Sequence, residues 1–184
     1  MTWQLDPAHS TVTISAKHMM VTTVRGTLAI RRAALDFDPE HPDRSSIEVT
    51  LDAASIDTGV EGRDAHLRSP DFLDAPSYPD ITFHSTSVEP AGRRWKLHGE
   101  LTIRDVTRPV TLDAEIDGVM QDWRGDGRRA AFSARTSIDR EAWGLTWNVA
   151  LEAGGWLVGR EFKVEIDLAA IEAAAATGEG AQAA

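Results

Sequence analysis

The chain has 184 residues, no cysteine and a formal net charge of −10, from 29 acidic against 19 basic side chains. The missing cysteines rule out disulfides, thiolate zinc sites and cysteine nucleophiles. The acidity argues against a nucleic-acid surface, which needs a basic face, and against electrostatic docking on anionic lipid. Length fits one domain, and 42% hydrophobic content allows one modest core.

The first residues, "MTWQLDPAHS", have neither a basic start nor an apolar run, so no signal peptide is expected. No stretch approaches the roughly 20 apolar residues of a membrane span. The expected location is therefore cytoplasmic. Asp6, His9 and Ser10 around Pro7 read as a polar turn before the first strand.

Period-two alternation then takes over. From Ser10 to His18 the dry row is Val12, Ile14 and Ala16. Gly26 to Phe37 begins with Leu28 and Ile30 and shifts phase to Leu35 and Phe37, which predicts a bulge near Arg32–Ala33. Ile47, Val49, Leu51 and Ala53 form a third row. "GRDAHLRSPDF", Gly62 to Phe72, breaks the pattern with helical spacing. Arg63, His66 and Leu67 share one face, and Asp64 and Arg68 share another as an exposed pair.

Ile81, Phe83 and Ser85 follow as a fourth row. Trp95, Leu97, Gly99, Leu101 and Ile103 face Val110, Leu112, Ala114 and Ile116 across a hairpin connection at Arg104–Pro109. Asp117 to Arg128 reads as a Gly- and Asp-rich connection. Phe132, Ala134, Thr136 and Ile138 make the seventh row, and Phe162, Val164, Ile166 and Leu168 the eighth. "IEAAAATGEGAQAA" reads as a short helix fraying into a disordered tail. The division is a barrel domain at 1–170 and a tail at 171–184.

Eight strands with one wet and one dry face close into a barrel or fold into a sandwich. Several inward positions are small: Ala16, Ala53, Gly99, Ala114 and Ala134. Small residues either alternate with large ones to fit a taper or leave a cavity, and both readings stand. A cavity with such walls suits an alkyl or isoprenoid chain, at about 0.8 kcal/mol per buried methylene.

Other chemistries find less support. His9 and His18 have opposite parity, His84 and His98 point outward, His41 sits in a loop, and no pair has zinc-enzyme spacing. No metal site or cofactor is expected. There is neither a Gly-x-Ser-x-Gly elbow nor a Gly-rich phosphate loop, so no catalytic residue is named. The six tryptophans raise a carbohydrate surface. Trp95 and Trp156 fall on dry rows instead, and Trp143 and Trp147 are expected along the barrel lip. Met19 and Met20 either line an opening or serve as filler.

"LDPAHSTVTISAKH", "VRG", "SIDTG", "RDAHLRSPDFLDAPSYPDITFHSTSV", "GELTIRDVTRPVTL" and "IDREAWGL" occur in that order, from about Leu5 to Leu168. In this the sequence resembles the YceI-like family, also called polyisoprenoid-binding proteins. The resemblance implies an all-β, eight-stranded, antiparallel, lipocalin-like barrel with a short helix between strands three and four. It implies an enclosed polyprenyl chain, quinone tail or related lipid, no catalysis, and often a homodimer. Many members carry an export signal, which is not seen here, and Asp105 stands where the family often has glycine.

The expected cavity wall is Val12, Ile14, Leu28, Val49, Leu51, Phe83, Leu97, Leu101, Leu112, Ala114, Phe132 and Val164. Arg63 and His66 either brace the helix or meet a polar headgroup such as a diphosphate or quinone oxygen. The alternative is a packed barrel acting as a protein-interaction or stress-related module.

Overall fold

The computed structural model describes residues 2–123 and 127–173. Alternation becomes ten strands: β1 Thr2–Leu5, β2 Thr11–His18, β3 Thr22–Leu28, β4 Ile30–Asp36, β5 Ser46–Asp52, β6 Asp80–Ala91, β7 Arg94–Ile103, β8 Val106–Gln121, β9 Arg128–Asp139 and β10 Val158–Glu172. One α-helix, α1 Glu61–Arg68, lies between β5 and β6. The order β1-β4-β5-β6-β7-β8-β9-β10 closes where β10 pairs back onto β1, so eight strands form an antiparallel barrel.

Ten segments make eight staves because two staves are broken. β1 and β2 both pair with β10, at Ala170–Glu172 and at Val158–Asp167 respectively. The turn Pro7–His9 interrupts them. Asp6 builds that turn as expected: its side chain accepts from Ala8 N and its Oδ2 lies 2.9 Å from His9 Nδ1. β3 and β4 form the other broken stave, interrupted at Ala29.

The alternating rows lie where parity puts them, with several corrections. β1 escaped notice because four residues are too few to show a period. The β4 irregularity falls between Ile30 and Arg32, just before the expected bulge. The β7–β8 turn is two residues, Arg104 and Asp105, with Ile103 opposite Val106 and Pro109 already paired with Glu100. Arg104 takes the left-handed conformation there, at φ 58°. β8 runs on to Gln121, so much of the expected Asp117–Arg128 connection is strand. β10 includes Ile171 and Glu172, where a helix was expected, and the tail from residue 174 lies outside the described residues.

Two buried clusters fill the ends. At the closed end Trp3 donates Nε1–H to Phe37 O at 2.8 Å, and Phe37 meets Phe132 edge-on at 4.8 Å. Near α1, Ile56, Trp143 and Leu145 pack with Leu28, Ile81 and Ile103. Trp143 is thus core rather than lip, with Nε1 bonded to Leu101 O at 3.1 Å. Trp156, expected on a dry row, is 52% exposed, because it precedes β10 in a loop.

Gly99 shows that small does not mean empty. A Cβ there would lie 2.5 Å from His84 O and clash with the edge of the Phe83 ring at Cζ and Cε2. Phe83 therefore already occupies that space. Gly99→Ala should destabilise the barrel by about 1–3 kcal/mol through overpacking, read as a lower denaturant midpoint with unchanged slope.

Candidate ligand-binding cavity and its mouth

The break at Ala29 makes the site. β4 pairs with β5, but β3 diverges from it, and residues 53–79 enter the gap. Asp52 N bonds Ala29 O at 2.9 Å, and Thr27 exchanges both backbone bonds with Asp57. That contact requires Gly26. A Cβ there would lie 2.7 Å from Thr58 Cγ2 and 2.9 Å from Asp57 O.

Thr58 then anchors α1. Its N–H donates to Asp64 Oδ1 at 2.9 Å, and its hydroxyl donates to the same oxygen. Arg63 returns from the helix, with Nε on Thr58 Oγ1 at 2.7 Å and Nη2 on Thr58 O at 2.9 Å. Asp64 is buried, so the expected exposed pair with Arg68 does not form; Arg68 bonds Glu61 at 2.8 Å instead. Burial alone would push the Asp64 carboxyl up. The Thr58 hydroxyl and amide, with Arg63 and Arg68 nearby, outweigh it and hold the carboxyl below its ordinary value.

His66 Nε2 lies 2.9 Å from Asp71 Oδ2, and its ring meets Phe72 and Trp147 edge-on at 5.1 and 4.4 Å. On Phe72 sits the guanidinium of Arg140, 5.9 Å from the ring centroid. Arg140 is fully buried, and burial pushes its pKa down against the pull of Glu141 and Asp139. It donates from Nε to Gly159 O at 3.0 Å and from Nη1 to Leu145 O. One side chain so ties the turn Arg140–Trp143 and the start of β10 to the α1 segment. Its signal was in the sequence: Arg140 continues the inward phase of Thr136 and Ile138.

Three cavities follow the barrel interior. The mouth, about 350 Å³, lies between β2–β3, α1 and the residues before β10. Lys17, His18, Thr58, Arg63 and His66 give it polarity, among apolar groups such as Leu67, Phe72 and Trp147. The centre, about 150 Å³, shares Ile14 and Phe162 with the mouth. Among the described residues no charged side chain lines it; Thr82 and Thr136 are its polar residues. The far cavity, about 100 Å³, shares Ile47, Leu97, Ala134 and Leu168 with the centre.

The expected wall residues divide along this axis. Val12, Ile14, Leu28, Val49 and Leu51 line the centre, as do Phe83, Leu97, Leu101, Leu112 and Val164. Ala114 and Phe132 line the far cavity. Arg63 and His66 stand together at the mouth. Trp147, expected along the lip, does line the mouth; Leu73, Leu145, Leu157 and Val158 were missed, and all but Val158, the first residue of β10, come from connections, where no strand period points to them.

The YceI-like domain family matches residues 3–170. This chain belongs to that family. It is 38% identical over 130 residues to Protein YceI of Escherichia coli O157:H7, covering 71% of this chain and 68% of that one. Among solved structures, the YceI-like barrel superposes on BcnA of Burkholderia cenocepacia with a TM-score of 0.76 at 26% identity, covering 90% of this chain and 99% of the other. A polyisoprenoid binding domain from Saccharophagus degradans gives a TM-score of 0.65 over 93% and 98% of the two chains; at 11% identity it shares the fold alone. Among the described residues no helix is long and apolar enough to cross a membrane.

The folded pKa of Asp64 lies below the unfolded value, which is near 3.9. Its contribution to stability is therefore present above that pH and lost as pH falls through the folded value. Asp64→Ala should cost about 1–3 kcal/mol at neutral pH by leaving the Thr58 amide and hydroxyl unsatisfied. Denaturant unfolding across pH should show a shallower acid-side decline than in the unaltered protein.

Proposed function

We propose that this YceI-like barrel binds and carries or stores a long apolar ligand, a polyisoprenoid, a quinone tail or a related lipid, without catalysing a reaction on it. The observation that carries this reading is the polarity gradient of the interior: charged and imidazole groups at the mouth, none along the centre. A dozen methylenes on such walls would contribute on the order of 10 kcal/mol, enough to exceed the lower range of association costs. The description of the Saccharophagus neighbour as polyisoprenoid binding agrees with that chemistry.

The gradient also orients the ligand, tail inward and head at the mouth. Arg63 and His66 act first as braces, since Arg63 Nε and Nη2 hold Thr58 and His66 Nε2 meets Asp71. A headgroup would meet what remains of Arg63, together with Lys17 and His18.

A narrow centre of about 150 Å³ favours a second reading, a packed barrel serving as an interaction module. Organic-solvent extraction of the purified protein followed by mass spectrometry separates the two. A bound isoprenoid or quinone is expected, and a protein without extractable lipid that also fails to take up a polyprenyl probe would favour the packed barrel. Ala16→Trp adds a second arm, because Ala16 faces the mouth cavity. It should abolish lipid uptake while changing stability by less than about 1 kcal/mol, whereas overpacking a filled core costs about 1–3 kcal/mol.

A further inference from the structure

The β2–β3 hairpin ends in an apolar tip that the barrel does not use. Met19, Met20 and Val21 are 50%, 60% and 77% exposed, and neither methionine lines a cavity. The turn is closed by Val21 N–H on His18 O at 3.2 Å. Met19 and Met20 hold φ of 50° and 63°, the left-handed region that asparagine and glycine adopt at least cost in hairpin turns. Two exposed apolar side chains sit there against both local preference and solvation. Strain of this kind clusters at functional sites.

The tip is joined to a second exposed apolar segment. Met19 N–H bonds Leu157 O at 2.8 Å, Leu157 N–H bonds Val149 O at 2.9 Å, and Met20 packs on Gly155. Val149 and Trp156 are 46% and 52% exposed, and Leu157 itself lines the mouth. The two segments therefore form one apolar lip continuous with the cavity. Charge singles out the same arm. From Pro7 to Leu35 there is no Asp or Glu, and Lys17 and Arg25 lie on the hairpin itself; Arg31, on β4, is already paired with Asp52 and Asp80, and Glu161 falls in the irregular stretch of β10 opposite Lys17, beside Lys163. On the adjoining loop, residues 149–157, Glu152 is the sole carboxylate.

We propose that this lip docks on a lipid bilayer containing anionic lipid, so that the mouth opens onto the membrane. Met19, Met20, Val21, Val149 and Trp156 enter the interface, and Lys17 and Arg25 face the headgroups. The inference rests on the lipid-binding reading, since a water-insoluble ligand must pass into the mouth from an apolar phase.

The test uses the full chain and vesicles of phosphatidylcholine with and without phosphatidylglycerol, free of isoprenoid, in a sedimentation assay. The protein should bind the anionic vesicles more tightly, and less so at high salt. The double substitution Met19→Asn with Met20→Gly removes the apolar tip while suiting the backbone. It should weaken vesicle binding by roughly tenfold or more with an unchanged or raised melting temperature. Absence of vesicle binding by the unaltered protein, or equal binding by the variant, overturns the proposal. So does concentration-dependent self-association that the variant loses without any vesicle binding, which would make a second copy the occupant of the lip. A protein that yields extractable lipid but ignores vesicles fails here alone. One that docks but never holds lipid fails the ligand reading alone.

Discussion

A closed sheet leaves no backbone donor or acceptor free, and this barrel meets that condition fully at one end only. There β1 pairs with both β4 and β10. At the other end β3 has β2 on one side and no strand on the other, among the described residues. Unpaired strand edges must be covered or made useless for pairing. Here they are covered by the chain that follows β5. Ala29 N–H donates to Ser55 Oγ at 2.8 Å, Thr27 bonds Asp57, and Ala53 N–H reaches Pro79 O at 3.0 Å. The mouth is the consequence: a strand would have sealed the wall, whereas a turn and a short helix bridge it and leave volume beside them.

That volume persists only if the bridging segment is held stiffly. An eight-residue helix has little stability of its own, and α1 has no side-chain cap at its N-terminus. Its start is fixed by polar bonds from Asp64 and Arg63 to Thr58, and the chain just after it by ring contacts of Phe72 with Arg140 and Trp147. Buried charges are costly unless hydrogen-bonded. Asp64 meets that demand through Thr58; Arg140 meets it in part, through two carbonyls and the Phe72 ring, while its Nη2 is buried without a partner among the described residues. The charged stretch Glu61–Asp71 lies in the longest gap between the described strands because that gap is where backbone pairing fails and side chains replace it.

This also explains what was legible in the sequence. Leu97, Leu101 and Leu112 were placed correctly on the interior because a strand points alternate side chains to opposite faces, and no tertiary knowledge is needed for that. Asp64 was misplaced because helical spacing names the residues that share a face, not what the face meets. Its partner, Thr58, is outside the helix. Leu73 and Leu157 were invisible as cavity residues because loops carry no period, whereas Trp147 was legible as a lip residue from its amphipathic ring. Gly99 suggested spare volume, but the space belonged to Phe83 on the neighbouring strand. Gly26 shows the opposite lesson: a glycine inside a strand pattern marks a close backbone approach, and the approach it marks is the edge of the mouth.

Net charge misleads in the same way that local spacing does. A total of −10 argues against anionic surfaces only if the charge is spread evenly, and it is not. At physiological ionic strength charges act over about 8 Å, so a surface approaching the β2–β3 tip responds to Lys17 and its neighbours on β10 rather than to carboxylates across the barrel. The acidic remainder still matters, because it disfavours contact through any other face. An apolar lip beside local cations, on a body that anionic surfaces repel, selects one docking orientation, and it is the one that presents the mouth.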